Sequence, residues 1–195
     1  KKVIEIYHDY DRMLKKNNSV DFDDLLKLPV ELFKKDSEIL EHYQEHYKYI
    51  LIDEYQDTNE VQYKLSRMLA NKYKNIFVVG DPSQSIYGFR GANFRNILDF
   101  EHNFKDTKVV MLEQNYRSTK NILDAANSVI KNNKERKDLD LYSTLGDGVK
   151  VKYMRSYDEK HEIALIVDEI KKLLNEGYTY QDIAIFYRTN AQSRN

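Results

Sequence analysis

Two short, unbroken apolar runs, each stopped by an acid, constrain this chain more than any other feature. Tyr49-Ile50-Leu51-Ile52 ends at Asp53-Glu54, and Asn75-Ile76-Phe77-Val78-Val79 ends at Gly80-Asp81. Runs this short, with no polar alternation, predict strands buried on both faces, as in a parallel sheet. Parallel neighbours need a crossover connection, and Val61, Leu65, Met68 and Leu69 supply a helical stripe between the runs. Strand, helix, strand is a βαβ unit and places the chain in the α/β class.

The flanking segments extend this pattern. Val3, Ile6, Tyr7, Tyr10, Met13 and Leu14 recur at helical spacing, and Asn17-Asn18-Ser19 ends that helix. A second helix is predicted from about Glu38 to Tyr47. A third apolar run, Val109–Leu112, leads into a helix with Ile122, Ala125, Ala126, Val129 and Ile130 inward, for which Ser118 or Thr119 is a natural N-cap. Residues 131–140 are polar and carry no apolar period. Val149–Tyr153 alternates like a strand with one wet face, and Ile163–Leu174 reads as a helix closed by Gly177. Ile183–Tyr187 is predicted to be a further buried strand.

Composition narrows the function classes. The 31 Lys and Arg residues balance 32 Asp and Glu, giving a net charge of −1. This argues against a polycation that coats nucleic acid but leaves room for a local binding groove. The chain has no cysteine, which excludes disulfides, thiol nucleophiles and cysteine zinc sites. No apolar run reaches the length of a membrane span, and no leader opens the chain, so the cytoplasm is the expected compartment. The chain begins at Lys1 and stops inside a segment that reads as continuing. It is therefore expected to be a piece of something longer.

The ends of the apolar runs hold the chemistry. Ligands of open parallel sheets sit outside the carboxyl ends of the strands. There, one carboxylate of the Asp53-Glu54 pair could hold Mg²⁺, directly or through water, and the other could orient or deprotonate an attacking water. Acids after a strand also serve simply as helix caps, a role open to Asp57 or Thr58. The loop Gly80–Ala92 gathers Gln84, a donor for a phosphate or water, with Tyr87 and Phe89, whose faces can stack on bases, and Arg90, which can meet a phosphate or a nearby acid. Loop aromatics also pack onto their own domain. Arg117, after the third run, is placed to neutralise a transferring phosphoryl group or to form a surface ion pair.

Three segments in order, Asp53-Glu54-Tyr55-Gln56-Asp57-Thr58-Asn59, Gly80–Ala92 and Leu112-Glu113-Gln114-Asn115-Tyr116-Arg117-Ser118, resemble successive signature motifs of superfamily 1 DNA helicases of the UvrD/PcrA/Rep type. Val20-Asp21-Phe22-Asp23-Asp24-Leu25 and Tyr187–Arg194 match two more, so the resemblance runs from residue 20 to residue 194. It implies parts of two RecA-like parallel-sheet motor domains. Residues 1–19 would end a helical insertion, 20–107 would be the back of the first motor domain, and 108–195 the front of the second.

The implied activity is ATP-dependent 3′-to-5′ translocation on single-stranded DNA and unwinding of duplex junctions, in repair or replication, with repair or replication proteins as further partners and no membrane. The resemblance implies that Asp53 holds Mg²⁺, Glu54 is the base for water attack on ATP, Gln84 senses the γ-phosphate, Arg117 acts across the cleft and Tyr116 stacks on adenine. On the DNA side it implies Phe22, Tyr87, Phe89, Arg90, Arg188 and Asn190; without it, Phe22 would read as a core anchor. Ser83 stands where the family usually has Asp, and Phe89 where many members have Trp, which keeps a stacking face but loses the indole N–H.

No Gly-x-x-x-x-Gly-Lys-Ser/Thr loop occurs, and none of the six glycines precedes a lysine. Such a loop cradles nucleotide phosphates, so this chain alone is expected not to hydrolyse ATP. Other readings are the motor part of a recombination helicase–nuclease subunit, or a non-catalytic module that binds single-stranded DNA or a protein.

Overall fold

In a computed structural model, which describes residues 2–194, the two apolar runs form the expected pair. Strand β1 (Ile50–Ile52) lies parallel to β2 (Ile76–Val78), with Ile50 opposite Ile76 and Ile52 opposite Val78. Around them, in chain order, are α1 (Lys2–Lys16), α2 (Asp24–Lys35), α3 (Ser37–His46), α4 (Glu60–Ala70), α5 (Arg95–Leu98), α6 (Phe100–Asn103), α7 (Lys120–Ile130) and α8 (Glu159–Asn175).

Local chemistry explains the best-defined ends. Asn59 opens α4, the crossover, through a reciprocal capping box. Its side chain accepts from the Val61 and Gln62 amides at 3.0 and 2.9 Å, while Gln62 accepts from the Asn59 amide at 2.9 Å. Asp36 caps α3 by accepting from the amides of Glu38 and Ile39. Thr119 stands at the start of α7 as predicted, yet its hydroxyl makes no cap bond. The first amides of α7 are answered instead by the Gly146 and Asp147 carbonyls at 3.0 Å each, because the turn before residue 149 folds back over the helix end.

Among the described residues the core is small and lies mostly between residues 30 and 100, with Leu123 of α7 buried beyond them. Val30 and Phe33 of α2 pack with α3 and α4, and buried Gln44 donates to the Met68 carbonyl at 2.6 Å. Beyond β1, the fully buried Tyr55 ring meets Phe100 edge-on at 5.8 Å. Full burial of such a ring stabilises by roughly 1.5–3 kcal/mol, and burial pushes the Tyr55 phenol above its ordinary pKa.

Several expectations need correction. The strands are not buried on both faces: Leu51 is 73% and Phe77 62% exposed, while their neighbours in each strand are half-buried. Alternate side chains leave on opposite faces, and α4 covers one face only. Val109–Leu112, Val149–Tyr153 and Ile183–Tyr187 form no strands, and Val110, Tyr153 and Phe186 are exposed. A strand exists only through its ladder, and among the described residues no backbone hydrogen bond joins one of these runs to another. Among the described residues two isolated bridges stand outside the sheet of β1 and β2, an antiparallel one between Asn59 and Ala92 and a parallel one between Gln114 and Tyr142. Among the described residues the fold is thus a mixture of helix and sheet with one small parallel sheet.

Candidate functional site

Both expected acids stand at the carboxyl end of β1. Asp53 is exposed, and its Oδ1 accepts the Glu54 amide at 2.9 Å, leaving Oδ2 without a hydrogen-bond partner among the described residues. Glu54 adopts the left-handed conformation, with φ 52° and ψ 41°. A non-glycine residue rarely does so, and such strain collects at functional sites. The chain turns there from the strand into the single helical turn Tyr55–Asp57.

The loop after β2 is fastened to this turn. Backbone bonds run from the Val79 amide to the Ile52 carbonyl and from the Tyr55 amide to the Val79 carbonyl, at 2.9 and 3.0 Å. Gln56, 1% exposed, accepts the Asp81 amide at 3.1 Å and donates to Glu54 Oε2 at 2.7 Å. Gln84 in turn donates to Asp81 Oδ2 at 2.9 Å. Asp53, Glu54 and Gln84 therefore belong to one hydrogen-bonded cluster. Sequence reasoning did not single out Gln56. Its signal was a polar side chain directly after the acids, which alone does not separate a buried connector from a solvated residue.

Further along, the loop presents its aromatics outward. The Tyr87 and Phe89 rings lie 6.1 Å apart, and the Arg90 guanidinium carbon sits 5.4 Å from each ring centre. Phe89 is 79% exposed. Three flat cationic or aromatic groups open to solvent form a platform suited to bases and phosphates. Buried Asn96 holds the base of this loop by donating to the Thr58 carbonyl and hydroxyl at 3.1 Å each.

The remaining expected residues lie apart from the cluster. Tyr116 and Arg117 are exposed beside an Asx turn, in which Asn115 Oδ1 accepts the Arg117 and Ser118 amides at 2.9 and 2.7 Å. Among the described residues, no hydrogen bond or ion pair joins them to Asp53, Glu54 or Gln84. Phe22, in the turn before α2, is 89% exposed and so is no core anchor. Arg188 and Asn190 lie in an exposed turn where Gln192 accepts the Arg188 and Thr189 amides at 2.9 Å.

Residues 1–105 match the model of the UvrD/REP helicase N-terminal domain. The chain belongs to the UvrD/REP helicase family. Residues 110–195 of this family member match the UvrD-like helicase C-terminal domain. It is 51% identical over 192 residues to the ATP-dependent DNA helicase PcrA of Staphylococcus epidermidis, and 50% identical over 192 residues to that of Staphylococcus aureus. Each comparison covers 98% of this chain and 26% of the relative, so the chain spans about a quarter of the length of those helicases.

Proposed function

We propose that this chain is the central segment of an ATP-dependent DNA helicase that moves 3′ to 5′ on single-stranded DNA and opens duplex junctions in repair or replication. The observation that carries this reading is the hydrogen-bonded cluster of Asp53, Glu54 and Gln84 at the carboxyl ends of two paired parallel strands, in a member of the UvrD/REP family. The two matching domain models meet between residues 105 and 110, which supports a division between motor domains near residue 107.

Each residue has a physical task in this account. Among the described residues there is no cluster of three or more His, Cys, Asp or Glu able to cage a metal. That suits Mg²⁺, which commonly takes one or two carboxylates and fills its other positions with water and substrate phosphate. Asp53 Oδ2 is the free oxygen for it, and the ion would supply charge neutralisation at the phosphates. Glu54 accepts the proton of the attacking water, and Gln84 contacts the terminal phosphate. Tyr116 stacks on adenine, and Arg117 approaches the phosphates from the second domain when the cleft closes. Phe22, Tyr87, Phe89, Arg90, Arg188 and Asn190 contact the DNA strand. No helix among the described residues is long and apolar enough to cross a membrane.

The test is DNA-stimulated ATP hydrolysis by the full-length protein carrying this segment. A general base typically contributes 10²- to 10⁴-fold, so Glu54→Gln should lower kcat by at least about 100-fold. The 195-residue chain alone should show no turnover, since it lacks the phosphate-cradling loop. An unimpaired Glu54→Gln protein would refute the assignment.

A further inference from the structure

We infer that Gln56 is a positioning residue for ATP hydrolysis, one carboxamide setting the Glu54 carboxylate and the Gln84 loop in a fixed relation. This rests on the reading of Glu54 as the base and Gln84 as the phosphate contact.

The orientation of the carboxamide follows from its partners. The Asp81 amide can only donate, so the group 3.1 Å away from it must be the oxygen of Gln56. The nitrogen then faces two carboxylates, Glu54 Oε2 at 2.7 Å and Asp57 Oδ2 at 3.4 Å. Each of its two hydrogens has an acceptor, and the side chain is 1% exposed, so water does not compete for these bonds. The backbone carbonyl of Gln56 also accepts the Ser85 hydroxyl at 3.2 Å. One residue thus grips the second loop at both ends of Pro82–Gln84.

The consequence for Glu54 is specific. Tying Oε2 to a buried donor leaves Oε1 as the oxygen without a hydrogen-bond partner among the described residues, open to take a proton. The left-handed backbone at Glu54 turns the side chain back over Gln56 rather than along the strand. On the other side, Asp81 donates its amide to Gln56 and accepts from Gln84 through its carboxylate at 2.9 Å. Movement of Gln84 on meeting a phosphate is therefore felt at Glu54 through only two intervening side chains.

Two substitutions separate positioning from mere support. Gln56→Glu keeps an oxygen for the Asp81 amide but replaces the donor to Glu54 with a second carboxylate. Gln56→Met has similar volume and neither function. In the 195-residue chain, hydrogen exchange at the Asp81 amide should stay slow in Gln56→Glu and become fast in Gln56→Met. In the full-length protein, both should lower kcat by at least about 10-fold, with KM for ATP within about twofold, the pattern of a group that acts on the reacting geometry and not on nucleotide affinity.

A folded variant of either kind with unchanged kcat overturns the inference, as does a loss confined to KM. If Gln56→Glu does not fold, the uncharged Gln56→Met decides. The parent reading fails separately: a silent Glu54→Gln removes the base itself, whereas an inactive Glu54→Gln beside a fully active Gln56→Met removes only the positioning role.

Discussion

A Cβ on Gly80 would stand 2.3 Å from Oε1 of Gln56. The glycine ends β2 where the second loop must come close enough for the Asp81 amide to reach that oxygen. Ile97 Cδ1 at 2.9 Å and the Tyr55 amide at 3.1 Å close the space from other sides. The residue is glycine because of this approach, since its φ is not in the left-handed range.

Gly80→Ala therefore has nowhere to place its methyl group. Overpacking of this kind costs roughly 1–3 kcal/mol, which for a domain of this size lowers Tm by about 2–12 °C. Thermal melting followed by circular dichroism checks it, and an unchanged Tm would mean that the two loops lie further apart.

Glu54 is held at φ 52° in this protein. The left-handed region costs a residue with a Cβ roughly 1–2 kcal/mol, while glycine loses about 0.5–1 kcal/mol through its freer unfolded chain. Because Gln56 also loses its 2.7 Å acceptor, which offsets part of that gain, Glu54→Gly should melt close to the parent temperature while removing the proposed base. A sharp fall in Tm would show that the glutamate supports the fold and is not strained for function.

Tyr10 and Asp21 tie α1 to the turn before α2 through a 3.0 Å hydrogen bond. The Asp24 amide, and then the Tyr10 hydroxyl, hold the Asp21 carboxyl below its usual range, while Asp21 pushes the Tyr10 phenol up. A depressed acid stabilises above its unfolded value, about 3.9, and the effect is lost as pH falls through the folded value. A raised phenol stabilises below its unfolded value, about 10, and the effect is lost as pH rises through the folded one. Protection against hydrogen exchange across residues 2–16, measured relative to the intrinsic rate at each pH, should thus be greatest between these limits and smaller beyond each of them. Asp21→Asn should remove the acid-side change, and a profile unaltered by it would contradict the tie.

Arg95 pairs with Glu135 at 3.1 Å, and Glu101 pairs with Lys137, joining α5 and α6 to the polar stretch after α7. These partners come from the two family domains on either side of residues 105–110. All four side chains are well exposed, so each pair contributes only ~0–1 kcal/mol and is screened by salt. The chain lacks cysteine, so Asn71→Cys with Lys160→Cys accepts a dye pair cleanly. Energy transfer should fall in about 1 M salt, where screening is nearly complete within ~3 Å, and in Glu135→Arg with Lys137→Glu. Transfer insensitive to both would mean that other contacts hold the halves together.

How much was legible in the sequence depended on where each residue finds its partner. Ile50–Ile52 and Ile76–Val78 were readable because an apolar run, a crossover stripe and a stopping acid are all local signals. The α4 boundary was equally local, set by Asn59 and Gln62 three residues apart. Val109–Leu112, Val149–Tyr153 and Ile183–Tyr187 were misread because a strand needs a neighbour, and propensity carries no information about whether one is present. Asp53 and Glu54 were found from their position after a strand. Gln56 was not, because its partner Asp81 lies 25 residues away and only the fold brings them together.

Fluorescence anisotropy of this chain with labelled single-stranded DNA at two salt concentrations shows whether the segment engages DNA through the Tyr87 loop. Tyr87→Ala and Phe89→Ala are compared with the parent. Base stacking is worth ~1–3 kcal/mol per base, so the account predicts weak, salt-sensitive binding that each substitution reduces about 5- to 150-fold. Affinity equal in all three proteins, or no binding by the parent, would contradict the placement of DNA on the Tyr87 loop.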